Sequence, residues 1–209
     1  MFPDHIVYSL PELATLVMTA GQSLDHSKKK PEQERQLVRR FINHMMETEN
    51  YFIDVAKHEK QDVIILADRG ASDPKPYSDK ETWDLIMKEA GWSEDDLTNN
   101  RYDLVLHLVS AADGAVEYYT TSNNQARRET VEQAKALDRM TQSAWLNHHT
   151  FKIIHNRYGS FQGKINKIIE TVGTIVGYKP SFNIESKYLL PFDFDVESSI
   201  PNYIARNIY

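Results

Sequence analysis

Two kinds of apolar patterning alternate along the chain. Val63 to Ala67 is an unbroken apolar run, and Leu104 to Val109 is nearly so. Runs without polar alternation read as strands buried on both faces, as in parallel sheets. Ile6–Tyr8 and Phe151–Ile154 are shorter β-prone runs. Between these lie stretches of helical period. Leu37, Val38, Phe41, Ile42, Met45, Phe52, Val55 and Ala56 fall on one face, which predicts a long amphipathic helix from Glu32 to about Glu59. Ser9 and Pro11 suit a helix start, predicting a helix over Leu10 to Thr19. Lys80 to Ala90 predicts a helix ended by Gly91, Ser93 to Leu97 a short one, and Glu129 to Asn147 one rich in strong helix formers. Phe161 to Val176 predicts a closing amphipathic helix before Gly177.

Every link between predicted strands is long enough for a crossover. The expected fold class is therefore α/β, a parallel sheet with helices on both faces. From Lys179 onward the chain carries Pro180, Pro191 and Pro201, many aromatics and no helical period. This places a boundary near Gly177, with one unit over residues 1–177 and a tail or second unit over 178–209. No internal repeat is present.

Composition narrows the partners. The 209 residues carry a net charge of −6, which gives no field that favours nucleic acid. Lys28-Lys29-Lys30 reads as a solvated loop. There is no cysteine, which excludes disulfides and cysteine-based metal sites. No apolar run approaches the ~20 residues of a membrane span. Met1-Phe2-Pro3-Asp4-His5 has neither the basic head nor the apolar core of a signal peptide. The expectation is a soluble, cytoplasmic protein that is not transmembrane.

Candidate chemistry gathers at predicted strand ends. Asp68 and Arg69 follow the run Val63 to Ala67. In open α/β sheets, ligands bind outside the carboxyl ends of the strands. An aspartate there can hold Mg²⁺ and an arginine can fork onto a phosphate. The alternative is a turn-capping acid paired with its own neighbour. Glu12 follows the first strand in "SLPELAT" and Asp113 the third in "LHLVSAADGA", so three carboxylates are expected to share one edge. Each alone is also an ordinary helix-start acid. Arg127 and Arg128 lie in the polar segment "TTSNNQARRET", and Arg139 about three turns on. A mobile segment of this kind can swing arginines over transferring phosphates; the other reading is a solvated helix start. His148 and His149 are adjacent and are expected to point apart, at surface or satisfied positions. Neither HExxH nor GxSxG occurs.

At "VIILADRG", "RYDLVLHLVSAADGAVEYYTTSNNQAR" and "LDRMTQSAWLNHHTFKIIHN" the sequence resembles the NadR-like P-loop ATPase/kinase domain of TRPL-translocation-defect proteins, collinearly from about Val7 to Gly177. The resemblance implies a three-layer, nucleotide-kinase-like P-loop fold that binds Mg²⁺ with GTP or ATP, GTP being expected in these proteins. It implies Asp68 at the Mg²⁺ position of a Walker B strand, Arg69 as a phosphate-side arginine and Glu12 at the rim. Arg127 becomes the lid arginine, with Arg128 and Asp113 lining the nucleotide site and Asn156 near the base. The family pattern prefers an acid where His155 stands. Family members continue into a CYTH-like, triphosphate-tunnel-type domain linked to membrane-protein trafficking and phosphoinositide binding. "NIESKYLLPFDFDVE" resembles the opening of that domain, with Glu185 and Lys187 echoing its ExExK.

The family's fold opens with a strand and a GxxxxGK[ST] loop. None of the eight glycines here belongs to such a loop. A truncated gene model, a start-site isoform or a degenerate copy would each give this pattern. The expected sheet therefore lacks its first, central strand, between the strand of Asp68 and that of His107. Weak nucleotide binding and a poorly soluble or molten isolated chain are the consequences expected. Two functions remain open: a purine nucleoside triphosphate-binding domain with NTPase or kinase chemistry, or an interaction module that has lost phosphate binding.

Overall fold

In the computed structural model, residues 2–24, 29–119 and 130–178 are described. Strand β1 (His5–Leu10) is followed by helix α1 (Leu13–Thr19) and the long helix α2 (Pro31–Ala56). Strand β2 (Asp62–Ala67), helix α3 (Lys80–Ala90) and the single turn α4 (Glu94–Leu97) come next. Strand β3 (Val105–Leu108), helix α5 (Val131–Ser143), strand β4 (Phe151–Ile154) and helix α6 (Phe161–Ile175) complete the order.

Local chemistry sets most boundaries. Pro31 opens α2, where its lost N–H would have had no partner, and Glu32 and Glu34 sit in the first turn at the positive end of the helix dipole. Asp79 caps α3 by accepting from the Thr82 amide at 2.8 Å. Gly91, at φ +71°, ends it in the left-handed region open to glycine. At α5, Thr130 and Gln133 exchange backbone and side-chain bonds in a capping box, which starts that helix at Val131. The predicted helix from Leu10 begins only at Leu13, because Leu10 is the last ladder residue of β1, paired with Ala67.

The largest buried apolar cluster lies between α2, α3 and α4. Ile42, Trp83, Ile86, Met87 and Leu97 meet Ala71 there, with Val38, Met46 and Trp92 packed against them. Ile42, Ile86 and Leu97 have no exposed surface. Truncating one such side chain costs about 2–5 kcal/mol, so this helical cluster is the main anchor of the fold.

The strands are parallel, as expected, and among the described residues they form two sheets, split where a central strand was expected to be missing. β1 pairs β2 from His5↔Asp62 to Leu10↔Ala67, and β3 pairs β4 from Val105↔Phe151 to Leu108↔Ile154. β2 and β3 are not paired. The expectation that the strands of Asp68 and His107 are buried on both faces is corrected accordingly. Leu66 is 45% exposed and Leu108 48%. A parallel strand is covered on both faces only when strands continue on either side and helices roof the whole sheet. Here each sheet stops at two strands.

The segment leaving β2 touches the segments entering β3 and β4. The Ala71 amide donates to the Tyr102 hydroxyl at 2.7 Å, and the Trp145 indole N–H donates to Asp73 at 2.9 Å. The carboxyl end of β1–β2 thus lies against the amino end of β3–β4.

Candidate functional site

The register of β1 and β2 brings their exits together. Leu10 stands opposite Ala67, and the Asp68 amide adds one more ladder bond to the Leu10 carbonyl at 3.1 Å. Glu12 and Arg69 therefore leave the same edge, and their side chains meet at 3.4 Å, Nε to Oε1. The second oxygen of Glu12 accepts from the Thr15 hydroxyl at 2.5 Å, which fixes the carboxylate on the first turn of α1.

This edge is electrostatically unbalanced. Asp68, Glu12 and Asp73 set three carboxylates around one guanidinium. Partial burial of its carboxyl group pushes the Asp68 pKa up, the Glu12 charge adds to this, and Arg69 offsets only part. Burial works against the Arg69 charge, yet Asp73, Glu12, Tyr77 and Asp68 outweigh it and hold the guanidinium protonated beyond its ordinary range. The excess negative potential is what a divalent cation relieves. One or two carboxylates, completed by substrate phosphates, is the usual protein share of a Mg²⁺ site. Asp68 with Glu12 fits that requirement. Among the described residues no cluster of three or more histidines and acids could hold a metal by itself.

Arg69 is also strained. Its φ is +76°, and it is the one non-glycine residue with positive φ among those described. Such a conformation costs about 1–3 kcal/mol and persists only where its surroundings over-determine it. The next residue shows how. Gly70 has no room for a side chain: a Cβ there would lie 2.8 Å from the Trp145 ring. Its amide donates to Asp73 Oδ2 at 2.7 Å. The Ala71 amide is held by Tyr102, whose hydroxyl donates to Glu49 Oε1 at 2.8 Å. Glu49, only 6% exposed, is paired with Arg101 at 2.7 Å, and Arg101 also donates to the Met46 carbonyl.

Asp113 and Asn156 lie elsewhere, at the carboxyl end of β3–β4. Glu12 and Asp68 share the β1–β2 edge, whereas Asp113 follows β3, which is not paired with β2. Asn156 donates to the carbonyls of Val109, Ser110 and Asp113, the last two at 2.8 and 2.7 Å. Its Oδ1 accepts from Lys164 at 2.7 Å, and Lys164 also donates to the Val109 carbonyl. Burial draws the Lys164 amine below its ordinary pKa, with Asp138 acting in the other direction. Asp138 accepts from the Ser110 amide at 2.8 Å and meets His107 Nε2 at 3.2 Å. Burial acts against its charge, but His107 and Ser110 prevail and its pKa falls below the ordinary value. Asn156 here is a clasp for the turn after β3.

Arg127 and Arg128 lie outside the described residues. His148 and His149 do not point apart, since no helix carries them; their rings stack at 4.4 Å. Both are satisfied, as expected: His148 by the Tyr102 carbonyl and the Thr150 amide, His149 by Asn99. The sequence reading missed Asp73, Tyr102 and Glu49. Only Asp73 left a trace, as an acid three residues beyond a strand-end glycine in "RGASD".

The family model described as an AAA domain matches residues 4–163. The chain belongs to the AAA domain family. The AAA domain is a P-loop NTPase-like α/β fold, of a kind that suggests nucleotide binding. No curated protein and no solved structure matches it. Among the described residues no helix is long and apolar enough to cross a membrane.

Proposed function

We propose that this AAA domain is the nucleoside triphosphate-binding unit of a protein of the translocation-defect type, with GTP as its ligand and Mg²⁺ bound alongside. The observation that carries the reading is the Glu12–Asp68–Arg69 constellation at the paired exits of two parallel strands. Asp68, with Glu12, supplies oxygen to the metal, and Arg69 forks onto a phosphate. Magnesium, when bound there, would neutralise phosphate charge. Arg127 serves as the lid arginine, Arg128 and Asp113 line the nucleotide site, and Asn156 lies near the base. A cytoplasmic location, a trafficking role and phosphoinositide contact through the C-terminal part belong to the same proposal and come from the resemblance.

The 209 residues contain no GxxxxGK[ST] loop, so few phosphate donors are at hand. Affinity for Mg·GTP is therefore expected near a millimolar Kd, about −4 kcal/mol. Calorimetry and NMR titration of Mg·GTP and Mg·ATP test this. Asp68→Ala should remove the Mg²⁺ dependence and leave the circular dichroism spectrum unchanged. No binding of either nucleotide by the parent, or a Mg²⁺ dependence untouched by Asp68→Ala, would sink the assignment; sub-micromolar binding would overturn the weak affinity expected without the loop.

A second reading, an interaction module without phosphate chemistry, is favoured by the half-exposed Leu66 and Leu108 on strands that have no further ladder partner among the described residues. It predicts no nucleotide binding at any concentration. Fusing a designed strand and GxxxxGKT loop ahead of residue 1 separates the two. The nucleotide reading expects tighter Mg·GTP binding and a higher melting temperature together; the module reading expects neither.

A further inference from the structure

We infer that Tyr102 and Asp73 are positioning residues that hold Arg69 in its left-handed backbone conformation, and so keep its guanidinium at the Glu12–Asp68 edge to meet a phosphate group of the nucleotide. The inference rests on the nucleotide-binding reading for its ligand, but not for its mechanics.

Glycine is the ordinary occupant of positive φ, since it alone adopts that region without a Cβ clash. A glycine stands immediately after, at residue 70, yet position 69 carries arginine at φ +76°. The strain is borne by the residue with the charged side chain. Its surroundings show what enforces it. The two amides that follow, Gly70 and Ala71, are each bound at 2.7 Å, one by Asp73 and the other by Tyr102. A relaxed φ at Arg69 would rotate both away from their acceptors. The acceptors are themselves fixed. The Trp145 indole N–H holds the other oxygen of Asp73, and the Trp145 ring abuts Gly70. Buried Glu49, locked by Arg101, holds the Tyr102 hydroxyl. A continuous line of bonds thus runs from α2 through Glu49 and Tyr102 to the backbone beside Arg69. The guanidinium it presents stands beside Glu12 and remains about half exposed, as a phosphate contact requires.

Two measurements test this. The first needs no nucleotide. Arg69→Gly and Arg69→Ala are melted in the parent and in a Tyr102→Phe background. In the parent, glycine should melt about 2–4 °C above alanine, because only alanine pays for positive φ. With Tyr102→Phe the gap should close, the backbone being free to relax. Asp73→Asn repeats the comparison if Tyr102→Phe fails to fold. A gap equal in all backgrounds overturns the clamp. The second follows the Arg69 Nε–H signal, identified by its loss in Arg69→Lys, as Mg·GTP is added. The parent signal should shift, and Tyr102→Phe and Asp73→Asn should each weaken the apparent affinity by about ten-fold. Arg69→Lys should add no further loss on top of them. Unchanged affinity in both clamp variants overturns the positioning role. A closing gap with no Mg·GTP shift in the parent leaves the mechanics standing and defeats the nucleotide reading on which the ligand rests.

Discussion

The exits of the two parallel pairs are built from the same kinds of residue and solve opposite problems. At β3–β4, Asn156, Lys164, Asp138 and His107 satisfy backbone groups and each other, and Asp138 is more acidic than an ordinary aspartate. At β1–β2, three carboxylates crowd one arginine, Asp68 is less acidic than ordinary, and the arginine is strained. The first end spends its polar groups on stability. The second holds them against stability, which is the common mark of a site kept ready for a ligand.

The comparison can be broken at several points. The largest effect is expected at the base of the strained end. Glu49→Ala leaves Arg101 buried without its partner and should cost about 3–5 kcal/mol in urea unfolding. A loss below about 1 kcal/mol would mean that the line from α2 to Arg69 is not held taut. Next is the satisfied end: Asn156→Ala removes bonds to the Val109, Ser110 and Asp113 carbonyls and the acceptor of Lys164, and should cost about 1–3 kcal/mol. If its melting temperature matches the parent's, the clasp is ornamental and the contrast fails.

Asp68→Asn should move stability the other way, by a smaller amount. A carboxyl whose folded pKa is raised stabilises below the ordinary value of 3.8 and loses that contribution as pH rises through the folded value. At pH 7 the ionised form is a burden, so the neutral amide should raise the melting temperature slightly. A fall at pH 7 would show Asp68 to be an ordinary satisfied turn acid. The smallest effect is the mirror image at Asp138. Its folded pKa is lowered, so its contribution is present above 3.8 and fades as pH falls through the folded value. Asp138→Asn should flatten the acid limb of the stability curve below that pH. A limb of unchanged slope would remove Asp138 from the account.

Much of this was legible in the sequence, and for local reasons. The long amphipathic face of α2, the short helix α4 and the glycine after α3 depend on neighbours within a turn or two. So did the pairing of Glu12 with the exit of β2, once both runs were read as parallel strands. The gap between β2 and β3 was expected from the strand missing between them; the exposure of Leu66 and Leu108 was not, because an unbroken apolar run does not say whether helices roof it. The clamp on Arg69 was hidden for another reason. Tyr102 and Ala71 are 31 residues apart and Trp145 and Asp73 are 72 apart, and no period connects them.

The parallel pairing has a consequence in time. His5 finds Asp62 across 57 residues, and Val105 finds Phe151 across 46. Closing a loop costs entropy that grows with the logarithm of its length, and that cost precedes any ladder bond. Helices form on the microsecond scale from local bonds alone. The α2–α3 contact joins two such helices and buries the largest apolar cluster. In refolding, amides of α2 and α3 should therefore gain protection from hydrogen exchange before those of β1 and β3. The strained bend at Arg69, which needs both sheets in place, should be among the last features to set.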